Sequence, residues 1–472
     1  MLIGRKEEKA KLTRAYKSNV SEFVAVYGRR RIGKTFLVRE TFEYRFAFTY
    51  TGIAKISNKD QLTEFHRALN AQGANEEKRP KSWFEAFAML GKFLNSLPKG
   101  KKVVFIDELP WMDSPRSHFV EAFGNFWNAW ASARKDILLI ICGSASSWII
   151  NKIFRNKGGL HNRVTTRVHL SQFDLRECEE MARAMDLPYV RQDIVEGYMV
   201  MGGVPFYWSR LVNGKSMAEN INDLFFMEDG EFRHEFHELY SSLFSNPEKY
   251  EKIIAALATK KTGMTRDELL SQTGMDSNGR FSQMLENLIE CGFVRRYCDT
   301  TKRVRDSIYQ LVDCYTLFHY KFQRQKPAAD HDYWRKIQST SAYSVWCGFS
   351  FERVCLLHIR QIKESLGISG ILSDVFSWHV GPTDEHPGAQ IDLLIDRSDN
   401  VISICEMKYS IGKYKMTKKT YEDLTTKLDV FRMCQRRQKG IQLVLVTMNG
   451  ISDSKYNYLI NKVITSDDLF RQ

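Results

Sequence analysis

The sequence predicts an α/β chain: a parallel-sheet core first, a helical module ending in a hairpin in the middle, and a second α/β domain at the end. Three observations predict it. Gly28-Arg29-Arg30-Arg31-Ile32-Gly33-Lys34-Thr35 fits G-x-x-x-x-G-K-[ST] and lies between an apolar run, 23–27, and a segment that can continue as a helix, 36–40. Two further apolar runs, 103–106 and 137–142, read as buried strands, and the first ends in Asp107-Glu108. Near the far end, Asp392, a turn at 398–400 and Glu406-x-Lys408 sit in two apolar strand-like runs.

Length and composition set the bounds. A chain of 472 residues, 43% hydrophobic and 26% charged, is long enough for two to four globular domains. No apolar run is long enough to cross a bilayer, and Met1-Leu2-Ile3-Gly4-Arg5 does not begin as a signal peptide does. Nine cysteines without a C-x-x-C pair fit neither a disulfide framework nor a zinc site. Cys142 and Cys405, inside apolar runs, read as small buried hydrophobes in a reducing cytoplasm. The net charge of +13 favours an anionic partner, nucleic acid before membrane.

A helix-like charged segment reaches Lys17, and the loop strand follows. A strand, a Gly-rich turn and a helix N-terminus aim backbone N–H groups and the positive end of a dipole at one point, which suits phosphate. Gly28 and Gly33 permit the turn, Arg29, Arg30, Arg31 and Ile32 complete the cradle, Lys34 reaches the terminal phosphates and Thr35 holds Mg²⁺. Helices at 60–71 and 83–97 separate this loop from the strand that delivers Asp107 to the metal shell. Glu108 is then placed to orient or deprotonate a water. The strand 137–142 ends in Gly143-Ser144, making Ser144 a candidate phosphate sensor. Arg163, before a strand at 165–170, stands where an arginine finger would, a surface arginine being the alternative.

Together, Leu2-Ile3-Gly4-Arg5, the loop GRRRIGKT, VVFIDE, a strand ending in Cys-Gly-Ser and Gly202-Gly203-Val204-Pro205 resemble the archaeal-type ATPases, AAA+-related P-loop NTPases of the STAND class. That resemblance implies an ATP-binding core over 1–170 and a helical lid over 171–245. It also implies that the Gly-Gly-x-Pro turn, with Pro205, packs near the adenine. The residues themselves do not distinguish ATP from GTP.

Residues 246–325 read as a winged helix-turn-helix, with helices at 250–258, 265–271 and 277–290 and strands at 291–297 and 303–311. Thr265 and Glu268 form a capping box. Arg280, Gln283 and Asn287 would be the exposed face of a recognition helix, and Lys302, Arg303 and Arg305 the wing. Interdomain packing is the alternative use of such a module. His234 and His237 lack a third ligand and do not read as a metal site.

A linker is expected at 326–345 and a last domain at 346–472, opening with a helix from about 349 to 364 that carries Glu352. In a strand, Glu406 and Lys408 share a face, and the hairpin can bring Asp392 beside them. Carboxylates can hold Mg²⁺ there, with Glu352 as a further ligand, while the Lys408 ammonium polarises a water or a phosphate. Asp392, Glu406 and Lys408 resemble the motif of the PD-(D/E)-x-K nuclease superfamily, which has a restriction-endonuclease-like fold; a helix at 420–437 and a strand at 441–447 suit its completion. A proline before Asp392 is lacking.

The expectation is an ATP-hydrolysing switch coupled to a Mg²⁺-dependent nuclease-like domain acting on nucleic acid, DNA before RNA, in defence or DNA processing. The alternatives are an ATP-regulated DNA-binding regulator, or a signalling scaffold that forms homo-oligomers or binds protein partners, with an inactive nuclease fold. No membrane partner is expected.

Overall fold

The structure is a computed structural model describing residues 2–144, 146–155, 158–297, 307–324, 332–435 and 438–471. It divides into two compact units. One is Met1–Ser171 with Ser242–Phe244; the other is Gln172–Ser241 with Ser245–Gln472.

The first unit is built on five parallel strands, β1 (Glu22–Tyr27), β2 (Phe48–Thr51), β3 (Lys102–Asp107), β4 (Ile137–Gly143) and β5 (Thr166–His169), in the order β2-β3-β4-β1-β5. Parallel sheets are covered on both faces, so their central strands read as unbroken apolar runs rather than as alternations. Phe23 and Ala25 point into one cluster with Trp83, Phe87, Phe119 and Phe123. Val24 and Val26 point into the other with Ile32, Leu37 and Val38. The order places β4 between β1 and β3, so the ends of all three strands meet at one edge. The strand β2 was not foreseen; its four residues, Phe-Thr-Tyr-Thr, carry too short a pattern to stand out.

The second unit opens with helices Leu175–Ala184, Arg191–Met201 and Met217–Phe225. Asp174 and Glu177 cap the first of them reciprocally. Helices Pro247–Thr259, Arg266–Thr273 and Gly279–Glu290 follow, with β6 (Met264–Thr265), β7 (Val294–Tyr297) and β8 (Ile308–Leu311) forming a small antiparallel sheet in the order β6-β8-β7. The Thr265–Glu268 capping box forms as its sequence indicates. Asn287 departs from expectation. It is only 8% exposed, because its Nδ2 donates to the buried Tyr250 hydroxyl at 2.7 Å. It therefore belongs to the module's core, while Arg280 and Gln283 remain exposed. Lys302, Arg303 and Arg305 lie outside the described residues.

The expected linker also differs. Residues 333–345 are largely helical, in Tyr333–Ile337 and the start of Ser341–Leu357. Trp334, 1% exposed, packs among Phe226, Phe318, Phe322 and Trp346, and Thr340 caps the longer helix through the Tyr343 N–H. Aromatic burial, which a composition-based boundary does not weigh, fixes the segment. The helix expected at 349–364 is two, broken at His358. The buried His358 Nδ1 meets the Val354 carbonyl at 2.7 Å, and its Nε2 accepts from the Leu175 N–H at 2.9 Å. Burial lowers its pKa, which favours the neutral ring that these two bonds require.

A mixed sheet closes the chain: β9 (Ser373–Val380), β10 (Ala389–Arg397), β11 (Val401–Lys408), β12 (Gly440–Thr447) and β13 (Lys462–Thr465), in the order β13-β12-β11-β10-β9. The pairs β9–β10 and β10–β11 are antiparallel, and the remaining two are parallel. Helix Lys418–Cys434 covers one face through Leu424, Leu428 and Phe431.

Candidate functional site

At the end of β1 the chain turns through Gly28, whose φ is 147°. A Cβ there would lie 2.4 Å from the Leu170 carbonyl oxygen and 2.5 Å from Ile32 Cδ1, so only glycine fits. Gly33, at φ 84°, caps the helix Lys34–Thr41 without a side-chain bond, and no acidic residue occupies that helix's first turn. Its leading N–H groups therefore face the loop unneutralised by a carboxylate of their own helix. Within the loop, Arg29, Ile32 and Lys34 are buried, whereas Arg30 is exposed and Arg31 half-buried. Lys34 Nζ donates to the Arg29 carbonyl at 2.8 Å, which folds the loop around its ammonium.

The end of β3 supplies the acids. Asp107 is 4% exposed, and its Oδ2 accepts from Thr35 Oγ1 at 2.7 Å while its Oδ1 accepts from the Glu108 N–H at 2.9 Å. The Thr35 hydroxyl and the Asp107 carboxylate, 72 residues apart in sequence, thus form one oxygen-rich pair beside an open helix N-terminus. Oxygen donors of this kind suit Mg²⁺ carried by a nucleotide phosphate. Glu108 adopts a left-handed conformation, φ 46° and ψ 43°, which re-aims it across β4. There its carboxylate accepts from the Ser144 N–H at 3.2 Å and from the Ser144 hydroxyl. Ser144, expected as a phosphate sensor, is thus engaged with Glu108. Arg163 is exposed on the loop before β5.

One brace was not legible as such. Arg5, from the Leu-Ile-Gly-Arg segment, is buried and donates from Nη2 to the carbonyls of Ser171 at 2.7 Å and Ile32 at 3.3 Å. It ties the loop to the end of the segment after β5. Gly202, Gly203 and Pro205 lie in the second unit. There Trp208 Nε1 donates to the Gly202 carbonyl at 2.7 Å, and Pro205 opens the short helix Pro205–Trp208.

Residues 2–211 match the model of the ATPase domain predominantly from Archaea. The chain carries an archaeal-type ATPase domain. The uncharacterized protein MJECL04 of Methanocaldococcus jannaschii is 25% identical over 431 residues, which are 90% of this chain and 92% of that protein. The uncharacterized ATP-binding protein MJ0423 of the same organism is 42% identical over 43 residues, 9% of this chain and 73% of its own length. Among solved structures, the Walker-type ATPase PABY2304 of Pyrococcus abyssi aligns with a TM-score of 0.48 and 17% identity, covering 67% of this chain and 95% of that one. The Aeropyrum pernix ORC2 protein aligns with a TM-score of 0.40 and 16% identity, covering 66% and 91%. No described helix is long and apolar enough to cross a membrane.

The second set of expected site residues lies around β10 and β11. Asp392 and Glu406 each stand one position beyond the Leu393–Cys405 pair, and a β-bulge on the β9 side of β10 separates Ile391 from Leu394. Glu406, buried, pairs with Lys408 Nζ at 2.7 Å and with Lys427 Nζ at 3.1 Å. Burial alone would lower the Lys408 ammonium, but Glu406 holds its pKa above the ordinary value. Glu352, 8% exposed on helix Ser341–Leu357, pairs with Lys261 Nζ at 2.6 Å. Lys261 Nζ also lies 3.8 Å from Asp392 Oδ2. Burial first, and the Asp392 carboxylate second, raise the Glu352 pKa to about 7. The structure therefore brings Glu352 and Asp392 together around Lys261, and Glu406 together with Lys408 and Lys427. Among the described residues, no three His, Cys, Asp or Glu side chains are grouped closely enough to hold a metal ion. Glu352 Oε2, however, is buried with no hydrogen-bond partner, an oxygen left for a further cation. Lys261 and Lys427 were not foreseen; both reach the carboxylates from other elements, 91 and 21 residues away in sequence. His234 and His237 are exposed, and His237 faces Glu251 at 3.4 Å.

Proposed function

We propose that this chain couples the ATPase domain to a Mg²⁺-dependent nuclease-like domain that acts on nucleic acid, DNA before RNA. Mg²⁺ bound with ATP would supply charge neutralisation at the phosphates. Around it the chain's own groups divide the work. Lys34 and the loop N–H groups bind the phosphates, Thr35 and Asp107 hold the metal, and Glu108 orients the attacking water. Arg163 is the candidate for charge supplied from one copy to another, and Pro205 for the adenine. The winged-helix reading of the middle module makes Arg280 and Gln283 its candidate nucleic-acid contacts.

The observation that supports the nuclease reading is the presence of three carboxylates, Glu352, Asp392 and Glu406, on one helix and two adjacent strands, with Lys408 beside Glu406. Asp392 and Glu352, which already meet at Lys261, would hold the metal, with Glu406 the candidate for a further ligand, and Lys408 would sit beside the scissile phosphate. The test is ATP hydrolysis and DNA cleavage by the same preparation, with Lys34→Ala and Asp392→Ala as the separating variants. Hydrolysis lost only in the first and cleavage lost in the second is the expected pattern.

A second reading has a specific observation behind it. Lysines neutralise all three carboxylates, as they would in a domain that keeps the nuclease fold and serves an ATP-regulated DNA-binding regulator or a signalling scaffold. That reading expects salt-sensitive DNA binding, or nucleotide-dependent assembly, with no cleavage in Mg²⁺ or Mn²⁺.

A further inference from the structure

Lys261 lies between helix Pro247–Thr259 and β6, outside the sheet that carries Asp392 and Glu406, yet five contacts fix it, four of them to residues around that site. Its ammonium lies 2.6 Å from Glu352 Oε1 and 3.8 Å from Asp392 Oδ2, and 4.6 Å from the centre of the Phe349 ring. Its carbonyl accepts from Arg353 Nη2 at 2.7 Å and from Gln310 Nε2 at 2.8 Å. Phe349, Glu352 and Arg353 occupy one turn of a single helix, so one element grips both ends of the residue. Arg353 is itself buried, so this anchor is part of the packed interior and not a surface contact.

An ammonium and a divalent cation compete for the same carboxylate oxygens, and a lysine so tethered is present at high effective concentration. Glu352 Oε2 remains without a partner, so the ammonium satisfies the site only in part. A metal has more to offer these oxygens than the lysine does. Beside them a cavity of about 490 Å³ opens between the two modules, lined by Tyr297, Gln310, Trp378, His379 and Asp392 among others. Solvent and ions therefore have a route to Asp392.

We propose that Lys261 is a built-in competitor for the metal of the C-terminal site: it occupies the Glu352–Asp392 position and must withdraw before a divalent cation binds there. This rests on the reading of Glu352 and Asp392 as metal ligands. It makes the position of the middle module the control on that site. Shifting the 260–263 segment would carry Lys261 away and leave two carboxylates for the cation.

The test is Mn²⁺ binding to the full chain without nucleotide, followed by calorimetry and by the loss of the free-ion electron paramagnetic resonance signal. Lys261→Met keeps the aliphatic stem on Phe349 and removes the charge; its thermal melt checks that it folds. The expected result is Mn²⁺ affinity at least about tenfold higher than in wild type, from removal of one partly buried competing charge. Lys261→Arg keeps a cation and should stay near the wild-type affinity. Adding Asp392→Asn to Lys261→Met should abolish the gain. Equal or weaker affinity in Lys261→Met, with wild-type binding that depends on Asp392, overturns the competitor role alone. No Mn²⁺ binding to folded Lys261→Met overturns both that role and the metal reading beneath it.

Discussion

Gly28→Ala is a severe test of how the phosphate-binding loop is built, because both its costs follow from the geometry of the turn. Gly28 has a φ of 147°, a conformation essentially reserved for glycine, and holding alanine there costs about 1–3 kcal/mol. The new Cβ would also meet the Leu170 carbonyl oxygen at 2.4 Å and Ile32 Cδ1 at 2.5 Å. The isoleucine can turn away. The carbonyl cannot move freely, because the Leu170 N–H is bonded to the Tyr27 carbonyl at 2.8 Å. Overpacking of this kind adds about 1–3 kcal/mol. The sum, about 2–6 kcal/mol, corresponds to a drop in Tm on the order of 5–20 °C for a unit of this size. Gly33→Ala is the internal control. Nothing lies within 4 Å of its Cβ, so only its φ of 84° counts, and the cost falls to about 1–2 kcal/mol. Differential scanning calorimetry and titration with a fluorescent ATP analogue would follow both variants. If Gly28→Ala melts no lower than Gly33→Ala and binds nucleotide as wild type does, the close approach of the loop to Leu170 is refuted.

Two other substitutions probe the packing that holds each unit. Trp334→Ala empties a site enclosed by the rings of Phe226, Phe318, Phe322, Tyr343 and Trp346 and should cost about 3–5 kcal/mol, read as a lower melting temperature of the second unit with the ATPase unit's transition unchanged. In the first unit, the Arg134 guanidinium and then the Lys102 ammonium hold the Asp136 carboxyl well below the usual carboxylate range. A folded-state pKa that is depressed stabilises above the unfolded value, about 3.9, and that stability is lost as pH falls through the folded one. Asp136→Asn should therefore destabilise the unit at pH 7 by about 1–2 kcal/mol given partial exposure, read as a lower Tm, and the gap to wild type should begin to narrow below about pH 4 and close only as the pH falls through the depressed folded-state value.

What was legible in the sequence follows how local each signal is. The loop at 28–35 is contiguous and its conformation depends on its own glycines, so its pattern can be read directly. Asp107 is legible because a buried strand that ends in two acids has few other uses. Edge strands are harder. In β9 only Phe376 is buried, so Ser-Asp-Val-Phe-Ser-Trp-His-Val has no clear period, and β13 is four residues long. Asn287 looked exposed because polarity is a poor guide when a buried hydroxyl, here that of Tyr250, needs a partner. Arg5 and Lys261 act over 27 and 91 residues, on Ile32 and Glu352, and no local pattern records such contacts. The Ser144–Glu108 contact likewise depends on β3 and β4 being neighbours, which only the sheet order reveals.

In the proposed function, nucleotide at Lys34 and Thr35 governs chemistry at Asp392, Glu406 and Lys408. The most direct measurement is cleavage of supercoiled and linear DNA in Mg²⁺ or Mn²⁺, with and without ATP, by wild type, Lys34→Ala and Asp392→Ala. Wild type is expected to nick DNA in a way that responds to ATP, Lys34→Ala to lose that response, and Asp392→Ala not to nick at all. Intact ATP hydrolysis with no cleavage under any of these conditions, or cleavage that persists in Asp392→Ala, would contradict that proposal.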